Sequence, residues 1–462
     1  MPIEIRNPAA PDQIVATYDE TPDNALDEVV ARARAAQLKW AALPQPERGV
    51  MVTNFVNALE TRSEEIAKSI TKEMGKPLAE ARGEAMKALG EARASVARAN
   101  APIGEVFGSQ MPGTVSYSTR RPRGVILGIN PWNFPFSTPM RKAIPALVYG
   151  NAIILKPASL TPGAVALMAE VAASTLPENL VQAVIGRGAL GQALAEHRGI
   201  DAVSFTGSVE VGKRVATAAA GHLAEVSLEL GGKNPAILND ASDLEKVLDQ
   251  ILLAAFAVCG QRCTAVSRVI VHRDIEEAVV SGLAARAAAM EPMDGMIEGA
   301  KIGPLASAQQ LEDVAGFVSR AVSDGAVIAA GGHRLESPGG GYIYAPTILR
   351  GVTRDMEIAR QEVFGPVLSL IAYDTVDEAL SIANDTAFGL SSCLYSERTD
   401  LVERFVAESE SGMLHVNAGS FPENHLPFVG IKDSSMGVGG SNGPSTIQFY
   451  TTEHAVYRRA CV

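Results

Sequence analysis

Four short segments of this chain carry residue types and spacings that could do covalent chemistry. The first is Gly260-Gln261-Arg262-Cys263-Thr264. A cysteine is a good nucleophile only as its thiolate, and a nearby cation or helix N-terminus lowers its pKa from about 8.5. Arg262 places a cation beside Cys263, and Gly260 marks a turn. On this pentapeptide alone an inert buried thiol is the commoner reading. Cys259, four residues upstream of Cys263, offers a reversible disulfide. A metal site would need further ligands at suitable spacing, and none is present.

The second segment is Leu228-Glu229-Leu230-Gly231-Gly232-Lys233. A lone glutamate ending an apolar strand has a raised pKa and can act as a general base. A surface pair between Glu229 and Lys233 explains the pattern equally well. The third is Pro131-Trp132-Asn133-Phe134-Pro135. An asparagine amide can donate to an oxyanion, or it can simply make a turn between prolines. In the fourth, Phe205-Thr206-Gly207-Ser208, a Gly-Ser turn opens a helix. Free N–H groups and the helix dipole there suit a pyrophosphate, although a plain N-cap has the same sequence. Gly186-Arg187-Gly188-Ala189-Leu190-Gly191 also matches GxGxxG after a strand. It lacks the acidic residue about 20 positions later that a dinucleotide fingerprint needs, so a turn is expected.

Rigid elements must position these segments. The first hundred residues read as helical: residues 24–40 show helical spacing and Pro44 stops them, and residues 48–74 and 79–99 continue the pattern. Residues 114–119 alternate like an exposed strand, and 120–123 read as a short basic turn. Buried strands are then expected at 125–129, 152–155, 181–185, 202–205 and 236–238, with helices at 162–175 and 209–220. Such alternation implies a parallel sheet with helices on both faces. A second series follows Cys263: strands at 269–272, 327–329 and 367–372, and helices starting at 275, 308 and 376. The expected fold class is α/β, built from two α/β domains. Residues 437–444 read as a Gly-rich loop, and 446–457 as a strand that leaves the body of the subunit.

Composition bounds the function. At 462 residues, two or three domains are expected. The net charge of −12, with no long basic run, argues against nucleic acid as a partner. Only four cysteines occur, Cys259, Cys263, Cys393 and Cys461, which suits a reducing compartment without a disulfide framework. The first residues lack a basic region followed by an apolar run, and no stretch of about 18 apolar residues occurs. A cytoplasmic protein without a signal peptide or membrane span is expected.

No single segment decides the chemistry, but their order does. PWNFP (131–135), LKPAS (155–159), FTGS (205–208), LELGGK (228–233), GQRCT (260–264) and EVFGPV (362–367) follow one another in this order at plausible intervals. Together they resemble the aldehyde dehydrogenase superfamily along nearly the whole chain. The resemblance implies a Rossmann-like NAD(P)-binding domain at 1–103 and 123–231, and a catalytic domain at 232–436. It also implies oligomerisation strands at 104–122 and 437–462, pairing subunits into a homodimer or homotetramer. By the same resemblance Cys263 is the nucleophile and Glu229 the general base. Asn133 is the oxyanion donor, working with the backbone N–H of Cys263. Lys156 would hold the adenosine ribose, with Ser159 beside it. Gly207 and Ser208 would meet the pyrophosphate. Trp132 and Leu230 would lie beside the cofactor, and Glu362 would grip the nicotinamide ribose with Phe364 next to the ring. No metal is implied. The implied reaction is attack by Cys263 on an aldehyde, hydride loss to NAD or NADP, and hydrolysis of the thioester through Glu229.

Finer features bear on substrate and cofactor. Ser159 stands three residues after Lys156, where NAD-specific relatives often carry a glutamate that repels a 2′-phosphate; NADP or dual use is expected. Arg141, in PMRKAIPAL, resembles the arginine that succinate-semialdehyde dehydrogenases place near the substrate carboxylate. GQRCTA and the tail FYTT resemble the branch acting on 2-oxoglutarate semialdehyde. Arg262 and His425 are further candidates for an anionic tail. A neutral or aromatic aldehyde is the alternative substrate, and a CoA-acylating reaction the alternative outcome. Glu229 argues against the latter, because the hydrolytic base is present. The usual PFGGxKxSGxGRE is altered here: Val429 and Ser435 replace glycines and the Arg-Glu pair is missing.

Overall fold

The computed structural model describes residues 2–438 and 441–459. Cys461, and Gly439 and Gly440 of the expected Gly-rich loop, lie outside the described residues. The chain opens on an antiparallel hairpin, β1 (Ile3–Asn7) and β2 (Ala10–Tyr18), where helix was expected. Ile3, Ile5 and Asn7 are buried while Glu4 and Arg6 are exposed. That is the period of two of a half-buried strand, too short to stand out among the charged residues around it.

Four helices follow: α1 (Leu26–Ala41), α2 (Gln45–Thr61), α3 (Ser63–Met74) and α4 (Leu78–Val96). Trp40 anchors α1, buried with its indole N–H donating to the Leu147 carbonyl at 2.8 Å. α3 ends at Gly75, whose φ of 87° is left-handed. A Cβ there would lie 2.5 Å from Pro304 Cγ, so only glycine fits this cap. The chain turns through Lys76 and Pro77 into α4. On its apolar face, among Ala81, Ala85, Ala88, Leu89 and Ala92, α4 buries Glu84 and Glu91.

β3 (Val106–Phe107) and β4 (Thr114–Pro122) come next. Residues 120–122, expected in a turn, continue β4 because the C-terminal strand pairs with them, Thr452 opposite Arg121 and Glu453 opposite Arg120. The first large sheet is built by β5 (Val125–Ile129), α5 (Ser137–Val148), β6 (Ala152–Lys156), α6 (Gly163–Thr175), β7 (Val181–Ala183), α7 (Gly188–Glu196), β8 (Ala202–Thr206), α8 (Val209–Ala220) and β9 (Glu225–Glu229). Its parallel order is β9-β8-β5-β6-β7. The chain winds outward from β5 through β6 and β7, then returns to lay β8 on the other side. Between β5 and β8 the winding reverses, and such a switch point leaves a crevice at the carboxyl ends of the strands. The loops after β5 and β8, with Asn133 and Ser208, open into it. The Gly186–Gly191 run follows the edge strand β7, away from this point.

The second sheet uses β10 (Asn234–Leu238), α9 (Leu244–Phe256), β11 (Val266–His272), α10 (Glu276–Ala288), α11 (Ala308–Ser323), β12 (Val327–Ala330), β13 (Thr347–Arg350), α12 (Glu357–Arg360), β14 (Val367–Tyr373), α13 (Val376–Asn384), β15 (Phe388–Gly389), β16 (Ser391–Tyr395), α14 (Thr399–Glu408) and β17 (Met413–Val416). β15 stands apart, pairing with residues 431–432. The sheet order is β12-β13-β14-β11-β10-β16-β17, parallel except for β12 at one edge. Residues 236–238, read with the first series, belong to this sheet between β11 and β16. Each sheet has its own apolar core. Among the described residues no helix is long and apolar enough to cross a membrane.

The chain closes with β18 (Ile431–Lys432), β19 (Ser435–Gly437), α15 (Thr446–Tyr450) and β20 (Thr451–Arg459). The strand expected from 446 begins only at Thr451. Before it, Thr446, Phe449 and Tyr450 turn one helical face into the body, and Asn151 donates to the Tyr450 carbonyl at 2.9 Å. β20, β4 and β3 form a separate three-stranded sheet. Phe107 and Tyr457 lie in register on it, 52% and 71% exposed. We propose that this arm, with free edges and exposed aromatic rings, pairs between subunits into a homodimer or homotetramer. Sedimentation velocity should show that assembly, and Phe107→Asp with Tyr457→Asp should shift it to monomer. A monomeric parent protein would refute the pairing.

Candidate active site

The two sheets contribute facing loops to one place. From the second comes the turn between α9 and β11 that carries Cys263. Val258, Cys259 and Gly260 are successively left-handed, with φ of 58°, 55° and 68°. A β-branched residue rarely adopts that conformation, and such strain persists only where the surroundings impose it. The Val258 N–H donates to both carboxylate oxygens of Glu80 at 3.1 Å. A Cβ on Gly260 would lie 2.1 Å from the Gly365 carbonyl oxygen. Gln261 closes the turn by donating to the Val258 carbonyl and accepting from the Ala306 N–H.

Cys263 is half-buried against Leu390, Met413 and Phe428. Burial pushes its thiol up to about 12, with Glu362 and Glu229 adding to the rise; Arg141 and Arg262 oppose it. Arg262 lowers this pKa as expected, but desolvation of the thiolate outweighs the cation and the net shift is upward. Cys259 is buried, and Cys259, Cys263 and Cys393 are all free thiols.

From the first sheet, Glu229 ends β9, buried, and one of its carboxylate oxygens has no partner among the described residues. Burial raises its pKa; Lys142 and Arg141 work against the rise. The surface pair with Lys233 is absent: Lys233 is itself buried, and its amine falls to about 7. Lys142 is buried one residue after Arg141, drops to about 8 by desolvation, and donates to Thr206 Oγ1 at 2.6 Å. Ser435, one of the altered glycine positions, and its neighbour Ser434 lie against the Glu229 segment. Ser435 pairs with Glu229 across β19 and β9, and Ser434 Oγ donates to the Gly231 carbonyl at 2.7 Å. Asn133 is buried, and its Nδ2 donates to the Gln261 carbonyl at 2.8 Å, two residues before Cys263. An amide nitrogen carries two hydrogens, so this bond uses one.

The crevice loops gather the other candidates. Trp132 and Phe364 meet edge to face, ring centres 5.4 Å apart. Phe364 has a φ of 55°, held as Gln310 donates to the Val363 and Phe364 carbonyls. Glu362 accepts from the Gly232 N–H at 3.0 Å, and burial raises its carboxyl to about 7. A Cβ on Gly231 would lie 2.3 Å from its Oε2, which explains the glycine. Lys156 ends β6, its amine lowered to about 8 by burial and bonded to the Pro157 carbonyl. A Cβ on Gly191 would lie 3.1 Å from the Lys156 Cδ, so the last glycine of the GxGxxG run packs against this side chain. Ser159 is half-buried in the turn after β6. Ser208 is the N-cap of α8, accepting from the Val211 N–H at 3.4 Å. The Gly207 N–H donates to the Glu229 carbonyl at 3.1 Å, and Leu230 packs where Gly212 leaves room in α8.

The anion-binding candidates separate. Arg141 makes a two-pronged ion pair with buried Glu91, at 2.7 and 2.8 Å, and lies over the Phe428 ring. Arg262 donates through Nη2 to Thr264 Oγ1 and the Ser420 carbonyl, and stacks on Phe421. Its Nη1 is buried without a partner among the described residues. His425 is not brought to either: its ring is 66% exposed, 3.7 Å from Glu423. Sequence reasoning missed Lys142, Lys76, Glu80, Glu84 and Glu91. Their signal was present, since Glu80, Glu84 and Glu91 recur on one face of a helix whose neighbouring positions are apolar.

Comparison with known proteins agrees with this geometry. The model of the aldehyde dehydrogenase family matches residues 1–456. The chain is 37% identical over 460 residues to an alpha-ketoglutaric semialdehyde dehydrogenase of Bacillus subtilis, covering 98% of this chain and 94% of that one. It is 35% identical over 464 residues to a betaine aldehyde dehydrogenase of Cereibacter sphaeroides, covering 99% and 93%. The crystal structure of lactaldehyde dehydrogenase from Escherichia coli superposes with a TM-score of 0.96 at 33% identity, covering 100% and 96%. The protein belongs to the aldehyde dehydrogenase family.

Proposed function

We propose that this enzyme uses NAD or NADP to oxidise a small anionic semialdehyde, of the succinate-semialdehyde or 2-oxoglutarate-semialdehyde type, to its carboxylic acid. The observation that carries the substrate class is Arg262, a buried guanidinium beside Cys263 with an unpartnered Nη1. A buried unpaired donor is costly, and a substrate carboxylate would satisfy it. Arg141 adds a second cation whose charge reaches Cys263. The semialdehyde dehydrogenase of Bacillus subtilis among the relatives supports this class. A neutral aldehyde is the second reading, because Glu91 already takes Nε and Nη2 of Arg141 and a betaine aldehyde dehydrogenase is also similar.

The residues at the switch point fit a dinucleotide. Gly207 and Ser208 open α8, a helix of 12 residues whose first N–H groups face the crevice end of β8. Lys156 ends β6 and Ser159 lies in the turn after it, and Trp132, Leu230, Glu362 and Phe364 would flank the nicotinamide end. The absence of an acidic residue at Ser159 leaves a 2′-phosphate unopposed, so NADP is accepted along with NAD. When bound, the nicotinamide supplies a hydride acceptor.

The chain's own groups then do the following. Cys263 gives up its proton to solvent water, and its thiolate sulfur bonds the aldehyde carbon as the C=O π electrons move to the oxygen. The oxyanion is met by the second Asn133 amide hydrogen and the Cys263 backbone N–H. Oxidation of the thiohemiacetal leaves a thioester on Cys263. Glu229, pushed towards neutrality by burial, takes a proton from the water that cleaves it. A base of this kind favours hydrolysis over transfer to CoA.

Cys263→Ala is expected to abolish NAD(P)H formation with every aldehyde; residual turnover would refute the mechanism. Arg262→Met should lower kcat/KM for succinate semialdehyde about 10- to 100-fold, the worth of one charged hydrogen bond, and leave butanal nearly unchanged. Equal losses on both would remove Arg262 from substrate recognition. Glu229 works only when deprotonated, and its pKa is raised above 4.5. The hydrolysis rate should therefore fall with acid along a limb lying above pH 4.5, and Glu229→Gln should remove that limb; an unchanged limb would assign it elsewhere.

A further inference from the structure

We propose that the buried Lys76–Glu84 ion pair is a positioning element for Asn133, holding the oxyanion donor through its backbone without touching substrate. This rests on the role given to Asn133 above. Lys76 and Glu84 are buried, at 1% and 4% exposure. The Lys76 Nζ donates to Glu84 Oε2 at 2.6 Å and to the backbone carbonyl of Asn133 itself at 2.7 Å, and lies 4.1 Å from the centre of the Phe134 ring. Glu84 Oε1 accepts from the N–H groups of Phe136 and Ser137, both at 3.0 Å. These are unsatisfied donors at the start of α5, whose N-cap residue Phe136 has no side-chain acceptor to offer. One ion pair therefore grips the turn of residues 133–137 from end to end.

Asn133 is consequently held at both ends. Its carbonyl is fixed by Lys76, and its amide by the Gln261 carbonyl on the nucleophile turn. Lys76 is itself clamped by the other half of the molecule. The Leu78 N–H donates to the Gly295 carbonyl at 2.9 Å, and a Cβ on Gly295 would lie 2.4 Å from the Lys76 carbonyl oxygen. A fully buried ion pair stabilises a fold no better than a well-packed apolar pair. What it supplies here is direction: two charges with fixed partners set where the Asn133 backbone runs, and hence where its amide points. A donor displaced by about 1 Å can cost about 100-fold in rate.

The test is a double-mutant cycle on the single-turnover burst of NAD(P)H, with cofactor dissociation constants measured alongside. Asn133→Ala alone should slow the burst about 100- to 1000-fold, as loss of an oxyanion donor does. Lys76→Met should slow it about 10- to 100-fold in the parent enzyme, yet less than about 2-fold in the Asn133→Ala background. Cofactor affinity should hold within about 2-fold in both. Glu84→Gln keeps oxygen for Phe136 and Ser137 and removes the charge, and covers the case where Lys76→Met does not fold. It should show a smaller loss with the same dependence on Asn133. Losses that multiply in both backgrounds would make the pair merely structural and overturn the proposal. An unchanged burst in Asn133→Ala would overturn the oxyanion role itself, a separate and recognisable failure.

Discussion

A carboxylate withdrawn from water must find donors, and the inner face of α4 carries three of them. Glu80 meets the Val258 N–H, Glu84 meets Lys76 and the start of α5, and Glu91 meets Arg141. Together the partners span the segments around Cys263: the nucleophile turn, Lys76 with the turn from Asn133 into α5, and the body of α5, which bears Arg141 and Lys142. Since buried charge is tolerated only when paired and hydrogen-bonded, α4 cannot be buried unless these segments stand in place. The same pairing welds the first sheet's helices to a turn of the second, so the crevice between the sheets has a defined width.

Within that crevice, burial moves the titratable groups in one consistent direction. Cys263, Glu229 and Glu362 are raised and Lys142, Lys156 and Lys233 are lowered, each with desolvation as the largest cause. All six shifts favour the neutral form. A site of nearly neutral acids and bases exchanges protons at modest cost, and a charge arriving or developing there is met by few competing ions. Arg141 and Arg262 are the exceptions, since a guanidinium stays protonated even when buried. One of them is neutralised by Glu91; the other keeps a donor unspent.

Much of the fold was legible from local pattern. The apolar runs of β5 and β6 and the boundaries of α8 follow the spacing of their own residues, because both faces of a covered strand and one face of a helix must be apolar. The errors arose where tertiary pairing overrides local signal. Residues 120–122 look like a basic turn until β20 is laid beside them. Residues 446–450 alternate like a strand until Phe449 and Tyr450 are buried on one side. Residues 236–238 carry no mark of which sheet they join, since the choice between two parallel sheets depends on neighbours distant in the chain.

The sequence by itself determined the inventory of chemistry and its order: a cysteine in GQRCT, a glutamate in LELGGK, an asparagine in PWNFP, and the α/β alternation that carries them. It also held the buried glutamates of α4 as charged positions on an apolar helical face. Only the tertiary structure decided how these groups behave. Whether Arg262 could activate Cys263 depended on burial, whose upward push outweighs the lowering by Arg262. Whether Arg141 stood free depended on Glu91, 50 residues away, and the orientation of Asn133 depended on Lys76, 57 residues away. Spacing along a helix or strand is a local property that sequence encodes directly. Desolvation and ion pairing belong to the three-dimensional surroundings, and those exist only once distant segments have packed.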